Sequence, residues 1–153
     1  RVQKTIGGKA LKRIIIDASV VLKWYLADEE DGSLALSLLE KYIAGKLNLM
    51  APFLLEYEVA NGLNIAKRKG RIEEKEVMKA LDGFMNLDIE FRPLSLTYTK
   101  ALPYCGLYNI TAYDASYVAL AEDESVPLVT ADKKLYNSLK KISWVNWLGD
   151  VKV

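Results

Sequence analysis

Arg13-Ile14-Ile15-Ile16-Asp17-Ala18-Ser19 is the stretch that decides the fold of this chain. Its three consecutive isoleucines do not alternate with polar residues, a pattern typical of a strand that is covered on both faces in a parallel sheet. We therefore predict a short buried strand over residues 13–18. An aspartate, Asp17, stands at the end of this strand, where an apolar residue would otherwise continue the pattern.

Helical and extended patterns alternate along the rest of the chain. Apolar residues at helical spacing predict helices at 19–26, 33–44, 53–68, 73–85, 97–108, 112–122 and 132–139, with Gly45 and Gly70 as stops and Pro103 as a kink. Short apolar runs predict further strands at 48–51, 89–94, 128–130 and 143–147. This alternation predicts an α/β fold, a three-layer α/β/α sandwich around a mostly parallel sheet of four to five strands.

Length and composition predict one globular domain. The chain has 153 residues, of which 51% are hydrophobic and 27% charged, enough to bury a core without disulfides. We assign residues 13–153 to this domain and expect residues 1–12, which are basic and contain Gly7-Gly8, to be a flexible leader or a segment added for expression. No apolar run is long enough for a membrane span and no signal peptide opens the chain, so we expect a cytoplasmic protein.

The residue types present exclude several classes of active site. The chain has no histidine and one cysteine, Cys105, which excludes catalytic triads that use histidine and zinc sites built from cysteine and histidine. Carboxylates, hydroxyls and lysines remain, and oxygen ligands suit Mg²⁺ or Mn²⁺. Because the net charge is only +1, contact with a nucleic acid would depend on local basic patches. The basic runs at 67–71, 133–134 and 140–141 are each more typical of solvated helix ends.

Two acidic residues follow predicted strands. Asp17 closes the first strand, and Asp132 lies just beyond the strand at 128–130. In open parallel sheets, ligands bind outside the carboxyl ends of the strands, so both aspartates are predicted at the functional edge. Capping of the next helix is the alternative for each, since aspartate is a favoured N-cap residue.

Two further acidic residues, Glu58 and Asp114, are predicted on inward helix faces. A carboxylate on such a face must be paired or bind a metal ion. The alternative for each is a salt bridge or a hydrogen bond from a tyrosine hydroxyl. The neighbours at helical spacing are Leu54, Asn61 and Ile65 for Glu58, and Tyr117, Val118 and Ala121 for Asp114.

Together, the four carboxylates favour a metal site. Without a cation among them they would raise one another's pKa values, and a divalent metal ion resolves this repulsion. Mg²⁺ or Mn²⁺ can bind phosphate oxygens and activate a water, which predicts hydrolysis of phosphodiesters without a protein nucleophile. Polar side chains beside the acids would orient them toward the metal; these are Ser19, Asn61 and Thr130. The alternatives are that Ser19 is an N-cap and Thr130 an ordinary strand residue.

Four segments of the sequence resemble the signature segments of PIN-domain ribonucleases. They occur in the order of that family and span most of the chain from Arg13 onward, and the ordered set is specific although the first segment alone is weak. The greatest likeness is to the stand-alone VapC toxins of toxin–antitoxin pairs. The segments are Ile16-Asp17-Ala18-Ser19, Glu58-Val59-Ala60-Asn61, Tyr113-Asp114-Ala115-Ser116-Tyr117-Val118-Ala119-Leu120-Ala121 and Leu128-Val129-Thr130-Ala131-Asp132.

The resemblance implies a function and a set of site residues. It implies an endoribonuclease that acts on an RNA substrate with Mg²⁺ or Mn²⁺, forms a homodimer and is inhibited by a small antitoxin. Within the four segments the chain does not depart from the family pattern. Carried over by position, the catalytic and metal-binding acids are Asp17, Glu58, Asp114 and Asp132, and the supporting polar residues are Ser19, Asn61 and Thr130.

Other functions are alternatives to this interpretation. A PIN-like nuclease that processes RNA without an antitoxin, and a PIN-like module that binds RNA or protein without cutting, would share these segments. Retention of four mutually repelling acids argues against the second. A haloacid-dehalogenase-type phosphatase would need an aspartate where Ser19 stands, and a receiver domain would need paired acids near the first strand, where Asp17 is alone.

Overall fold

The protein alternates strands and helices along its length. The computed structural model describes residues 5–6, 9–10 and 12–152, and only the backbone of the first two pairs. In this part of the chain the strands are β1 (Thr5–Ile6), β2 (Lys9–Ala10), β3 (Lys12–Ile16), β4 (Leu47–Pro52), β5 (Glu90–Arg92), β6 (Leu128–Thr130) and β7 (Val145–Trp147). The helices are α1 (Ala18–Tyr25), α2 (Gly32–Ile43), α3 (Leu54–Arg68), α4 (Glu74–Asn86), α5 (Tyr98–Tyr108), α6 (Ala112–Glu124) and α7 (Lys133–Leu139), with short 3-10 helices at Leu94–Leu96 and Leu148–Asp150.

A five-stranded parallel sheet forms the centre of the molecule. Its strand order is β5-β4-β3-β6-β7, and each neighbouring pair is parallel. The chain enters at the central strand β3, moves outward to β5 and then returns to β6, so the direction of winding reverses between β3 and β6. The predicted fold class is therefore confirmed.

A separate antiparallel pair, β1 and β2, precedes the main sheet. It lies within the segment predicted as a leader. Residues 1–4, 7–8 and 11 of that segment lie outside the described residues.

The isoleucine run forms the buried centre of β3. Ile14, Ile15 and Ile16 each expose 3% or less of their surface. Ile15 pairs with Met50 of β4 on one side and with Leu128 of β6 on the other. A central strand that is also covered on both faces requires apolar residues at successive positions, which explains why this stretch shows no alternation.

Helices cover both faces of the sheet. α1 packs against α2 and α3, and α3 packs against α4, whereas α5 packs against α6, which lies on β3 and β4. Right-handed crossovers place α1–α4, which connect strands toward β5, on one face and α5–α7, which connect strands in the return direction, on the other. Among the described residues, no helix is long and apolar enough to cross a membrane.

The boundaries differ from the prediction mainly at the two outer strands. β5 and β7, the two outer strands of the sheet, are three residues long, shorter than the predicted strands at 89–94 and 143–147. α5 runs through Pro103 as one helix, where a kink is predicted from sequence. Gly45 and Gly70 follow α2 and α3 as predicted, each with a φ of +72°, which glycine adopts without steric cost.

Candidate active site

Asp17 is the most enclosed of the four predicted acids. It follows β3 and forms the N-cap of α1, where its Oδ1 accepts a hydrogen bond from the Val20 amide at 3.4 Å. The Ser19 hydroxyl also donates to Oδ1, and the Thr130 hydroxyl donates to Oδ2. Burial raises the pKa of Asp17 to about 6 although these hydrogen bonds oppose the rise, and the Asp132 carboxylate adds to it. A proton or a cation therefore readily neutralises this carboxylate.

The turn after β6 carries the second strand-end aspartate and is tied to the start of α1. The Ala131 amide donates to Ser19 Oγ at 2.8 Å, and the Asp132 amide donates to Thr130 Oγ1 at 3.1 Å. Asp132 is exposed and caps α7, since its Oδ1 accepts from the Leu135 amide at 3.0 Å. Both strand-end aspartates thus cap helices, as the alternative interpretation predicts, and both also stand where β3 and β6 end side by side.

Glu58 and Asp114 approach the site from α3 and α6. Glu58 Oε1 accepts a hydrogen bond from the Tyr117 hydroxyl at 2.6 Å, and Tyr117 lies one helical turn after Asp114. Burial raises the pKa of Glu58, the Tyr117 hydrogen bond opposes this rise, and the Asp114 carboxylate adds to it. Burial also raises the pKa of Asp114, with a further contribution from Asp132. The tyrosine-hydroxyl alternative therefore holds for Glu58, which is at the same time coupled to Asp114.

The four acids form one electrostatic chain, here named the acidic chain, in which one acid raises the pKa of the next. Besides the effect of burial, Asp132 raises the pKa of both Asp17 and Asp114, and Asp114 raises the pKa of Glu58. Lys134 is a nearby cation that lowers the pKa of Asp114, but its effect is smaller than the opposing effect of Asp132. Electrostatic effects thus link the four acids predicted from sequence, and Lys134 offsets only part of the effect of Asp132 on Asp114.

The predicted inward face of α3 is wrong by one residue along the helix. Glu58 is half-buried, and Asn61 and Ile65, which share its stripe, are exposed. Adjacent residues on a helix lie about 100° apart, so the stripe that contains Glu58 borders the core instead of entering it. The buried residues of α3 are Leu55, Val59, Leu63 and Ala66. On α6, the neighbours of Asp114 are buried as predicted: Tyr117, Val118 and Ala121.

Two of the three predicted supporting residues contact an acid. Ser19 and Thr130 both donate to Asp17, and their hydroxyl oxygens lie 3.4 Å apart. Asn61 is exposed, and its side chain makes no hydrogen bond to an acid in the described part of the chain. It instead lines a groove of about 400 Å³ together with Leu54, Tyr57, Glu58 and Tyr113.

A second groove, of about 490 Å³, lies beside the turn after β6. Ala131 and Lys133 form part of its wall, with Tyr136 and Trp147, whose ring centroids are 5.7 Å apart. Acidic side chains, including Asp31, line it as well. One open groove is therefore lined by α3 residues that include Glu58, and the other is lined by α7 residues next to Asp132.

The donor chemistry of the acids fits a hard divalent cation. All donor atoms are oxygens, and carboxylates that raise one another's pKa values attract a cation. Within the described residues, no three acidic or other ligating side chains are grouped closely enough to form a ready-made metal cage. Mg²⁺ typically keeps several waters and binds through one or two carboxylates, so it does not require such a cage.

Two contributors to the site are absent from the residues predicted from sequence. Tyr117 is expected there only as a packing residue of α6, although a tyrosine one helical turn after Asp114 is a signal that could indicate a hydroxyl partner for an acid. Lys134 is expected only as part of a solvated helix end. Its effect on Asp114 depends on where α7 begins relative to α6, which no local pattern reveals.

The sequence matches known proteins over most of its length. A family model described as the PIN domain matches residues 14–140. Ribonuclease VapC9 of Mycobacterium tuberculosis is 35% identical over 122 residues, which cover 80% of this chain and 87% of that protein. The match thus spans most of both proteins.

Two solved structures share the fold. The crystal structure of PAE2754 from Pyrobaculum aerophilum superposes with a TM-score of 0.63 at 24% identity and covers 91% of this chain and 92% of that one. The structure of VapBC2 from Rickettsia felis, bound to a DNA fragment from its promoter, has a TM-score of 0.60 at 15% identity and covers 88% of this chain and 96% of that one. With the family match and the identity to VapC9, these findings show that the chain belongs to the PIN-domain family, among its VapC ribonucleases.

Proposed function

We propose that this protein is a metal-dependent endoribonuclease that hydrolyses phosphodiester bonds of RNA and acts as the toxin of a toxin–antitoxin pair. The observation that carries the proposal is the electrostatic chain of Asp17, Asp132, Asp114 and Glu58. It lies at the carboxyl ends of β3 and β6, where the winding of the sheet reverses and where open α/β sheets bind ligands. Ribonuclease is also the activity in the name of the matched relative.

Mg²⁺ or Mn²⁺ is the proposed cofactor, held by the same four acids directly or through water. Such an ion, when bound, neutralises charge on the phosphate and lowers the pKa of the water that attacks it. Asp132 is exposed and uses one carboxylate oxygen to cap α7, so it is the acid best suited to act through water. The more enclosed acids are better suited to direct contact because protein groups already hold their carboxylates in place.

Neighbouring side chains hold the acids in position. Ser19 and Thr130 donate to different oxygens of Asp17, which restricts rotation of its carboxylate. Tyr117 does the same for Glu58 by donating to Oε1. Fixed carboxylates lose less entropy when a cation and a phosphate bind, so these hydroxyl groups are proposed to position the acids rather than to react.

A second copy of the chain and a small antitoxin are the proposed protein partners. Support comes from large apolar side chains that the fold leaves exposed, including Met78 and Met85 on α4 and Leu102 and Leu107 on α5. The Rickettsia felis structure of VapBC2 bound to promoter DNA motivates the proposal of an antitoxin partner. A neighbouring reading frame that encodes a DNA-binding protein would separate the toxin role from RNA processing without an antitoxin.

Cleavage of labelled single-stranded RNA in Mg²⁺ or Mn²⁺ tests the proposed activity. We expect Asp114→Asn to lower the cleavage rate by at least about 100-fold, because it removes one carboxylate from the site. Its free energy of unfolding should equal or exceed that of the parent, since one source of carboxylate repulsion is removed.

The matched control is Asp123→Asn on the same helix. Asp123 pairs with Lys100 at 3.3 Å, away from the acidic chain, so this variant should cut RNA as fast as the parent. Equal cleavage by Asp114→Asn and the parent would remove Asp114 from the site. Cleavage that persists unchanged in excess EDTA would overturn the metal dependence.

A further inference from the structure

Two tyrosines on different helices lie beside Glu58 with most of their surface exposed. Tyr57 on α3 is 80% exposed and Tyr113 on α6 is 66% exposed, and both line the groove of about 400 Å³. Among the ring contacts of the described residues, none involves either tyrosine, whereas Tyr104 and Tyr136 each pack on another aromatic ring. Burial of apolar surface in the fold therefore does not account for these two rings.

Asn61 adds a polar group to the same groove. It is exposed and lies one helical turn after Glu58. Its side chain is not needed to hold an acid in the described part of the chain, and an amide carries both hydrogen-bond donors and an acceptor. Such a group can recognise the edge of a nucleobase, which presents donors and acceptors side by side.

The charge of the groove indicates which part of an RNA could occupy it. Among the described residues that line it, Glu58 is the one that carries a charge, and the others are aromatic, aliphatic or amide side chains. A phosphate would be repelled there, whereas a neutral, flat base would gain stacking on an exposed ring. The phosphate is accommodated instead beside the acids, where a cation can neutralise it.

We propose that this groove binds one unstacked nucleobase of the RNA next to the bond that is cut, with Tyr57 and Tyr113 providing stacking surfaces and Asn61 reading the base edge. This inference rests on the proposed function, because it assigns the groove to the same RNA. It makes Asn61 a specificity residue for one position of the cleavage site. The competing occupant is a second copy of this chain, which would cover the tyrosines by protein.

Binding of short RNAs tests the inference separately from cleavage. The probes are fluorescein-labelled RNA hexamers of A, C, G or U, and the protein carries Asp17→Asn so that binding is measured without cutting. We expect Tyr57→Ala and Tyr113→Ala each to weaken hexamer binding roughly 5- to 100-fold, the range typical for loss of one base–aromatic stack. Tyr57→Phe and Tyr113→Phe should bind like the parent, because stacking requires the ring and not the hydroxyl.

The remaining variants report on base recognition and provide the control. Asn61→Ala should reduce the differences in affinity among the four hexamers, and in the cutting enzyme it should change the base preference at one position of mapped cleavage sites. Tyr98→Ala is the control, since Tyr98 is 52% exposed on α5 and does not line the groove. It should bind all four hexamers as the parent does.

The outcomes distinguish this inference from the proposed function. If the protein cuts RNA but the tyrosine and Asn61 variants bind and cut like the parent, the inference is wrong and the function stands. If the protein does not cut but binding depends on the tyrosines, the function is wrong and the inference stands. Failure of the Asp17→Asn protein to bind any hexamer would overturn the inference. A change from dimer to monomer in Tyr57→Ala, with Tyr57→Phe and Tyr113→Phe binding RNA as weakly as the alanine variants, would also overturn it, in favour of an interface between copies.

Discussion

Glu124 and Asp17 are both buried carboxylates, but the groups around them differ in charge. The Glu124 side chain is 1% exposed and is contacted by two arginines, Arg13 of β3 at 3.3 Å and Arg92 of β5 at 3.7 Å. Asp17 is surrounded by hydroxyl and amide donors, and the charged group that acts on its pKa is another acid, Asp132. Burial by itself therefore does not distinguish a carboxylate proposed for the site from one that serves the fold.

The difference shows what a structural acid and a functional acid each require. A buried charge that serves the fold needs an opposite charge, because an unpaired one is strongly destabilising. A charge that serves cation binding must lack such a partner, so that the ligand supplies the missing compensation. Within the described part of the chain, the four acids proposed for the site meet this second condition except for the small effect of Lys134 on Asp114.

The largest expected effect is the loss of stability in Glu124→Gln. This variant removes the buried carboxylate between Arg13 and Arg92, which are 19% and 20% exposed, and leaves both beside the more exposed Glu90. We expect the free energy of unfolding to fall by about 3 kcal/mol, as when one partner of a buried ion pair is removed. Urea denaturation measures this change. The control is Glu122→Gln, on the same helix but exposed, which should stay within about 0.5 kcal/mol of the parent.

Comparing Glu124→Gln with Asp114→Asn tests the distinction between an acid that serves the fold and an acid proposed for the site. Glu124→Gln should destabilise the protein, whereas Asp114→Asn should not. If both variants lose similar stability, the acids of the site are paired structurally in the same sense as Glu124.

The pH dependence of the metal-free protein should show the uncompensated state of Asp17. Burial raises its pKa from 3.8 to about 6, so the folded protein retains this proton to a higher pH than the unfolded chain. Its contribution to stability is fully present below about pH 4 and is lost as the pH rises through about 6. The loss amounts to up to about 3 kcal/mol, since one pKa unit corresponds to about 1.4 kcal/mol.

This contribution is isolated by subtracting the unfolding free energy of Asp17→Asn from that of the parent at each pH, in the presence of a chelator. The difference should decline from pH 4 to pH 7. A difference that rises over this range would mean that the fold stabilises Asp17 as a carboxylate, and would end the contrast between the two acids.

A smaller effect is expected from metal binding. Mn²⁺ at about 100 times its dissociation constant should stabilise the folded protein by about 2.7 kcal/mol, or roughly 5–10 °C in melting temperature. The double variant Asp17→Asn/Asp132→Asn should show no such rise, whereas Glu124→Gln should retain it. A melting curve of the parent that does not change at saturating Mn²⁺ would count against the metal site.

Local patterns predicted the positions of the strand-end acids well and those of the helix acids less well. Asp17 and Asp132 follow apolar runs and cap helices, and both features depend on a few consecutive residues. The placement of Glu58 relied on a helical stripe, and on α3 the core stripe begins one residue later, at Leu55. A single-residue shift turns a helix by about 100°, so the exact buried face depends on what the helix packs against.

The sequence by itself determined the fold class, the parallel sheet and the residues that can ligate a cation, because hydrophobic periodicity and side-chain chemistry are local properties. Only the tertiary structure decided the partners of each acid. The Tyr117 hydroxyl reaches Glu58 across 59 residues of chain, and Arg13 reaches Glu124 across 111. Contacts over such separations depend on how helices pack on the sheet, and this packing decides which buried carboxylate lies beside arginines and which lies beside hydroxyl and amide donors.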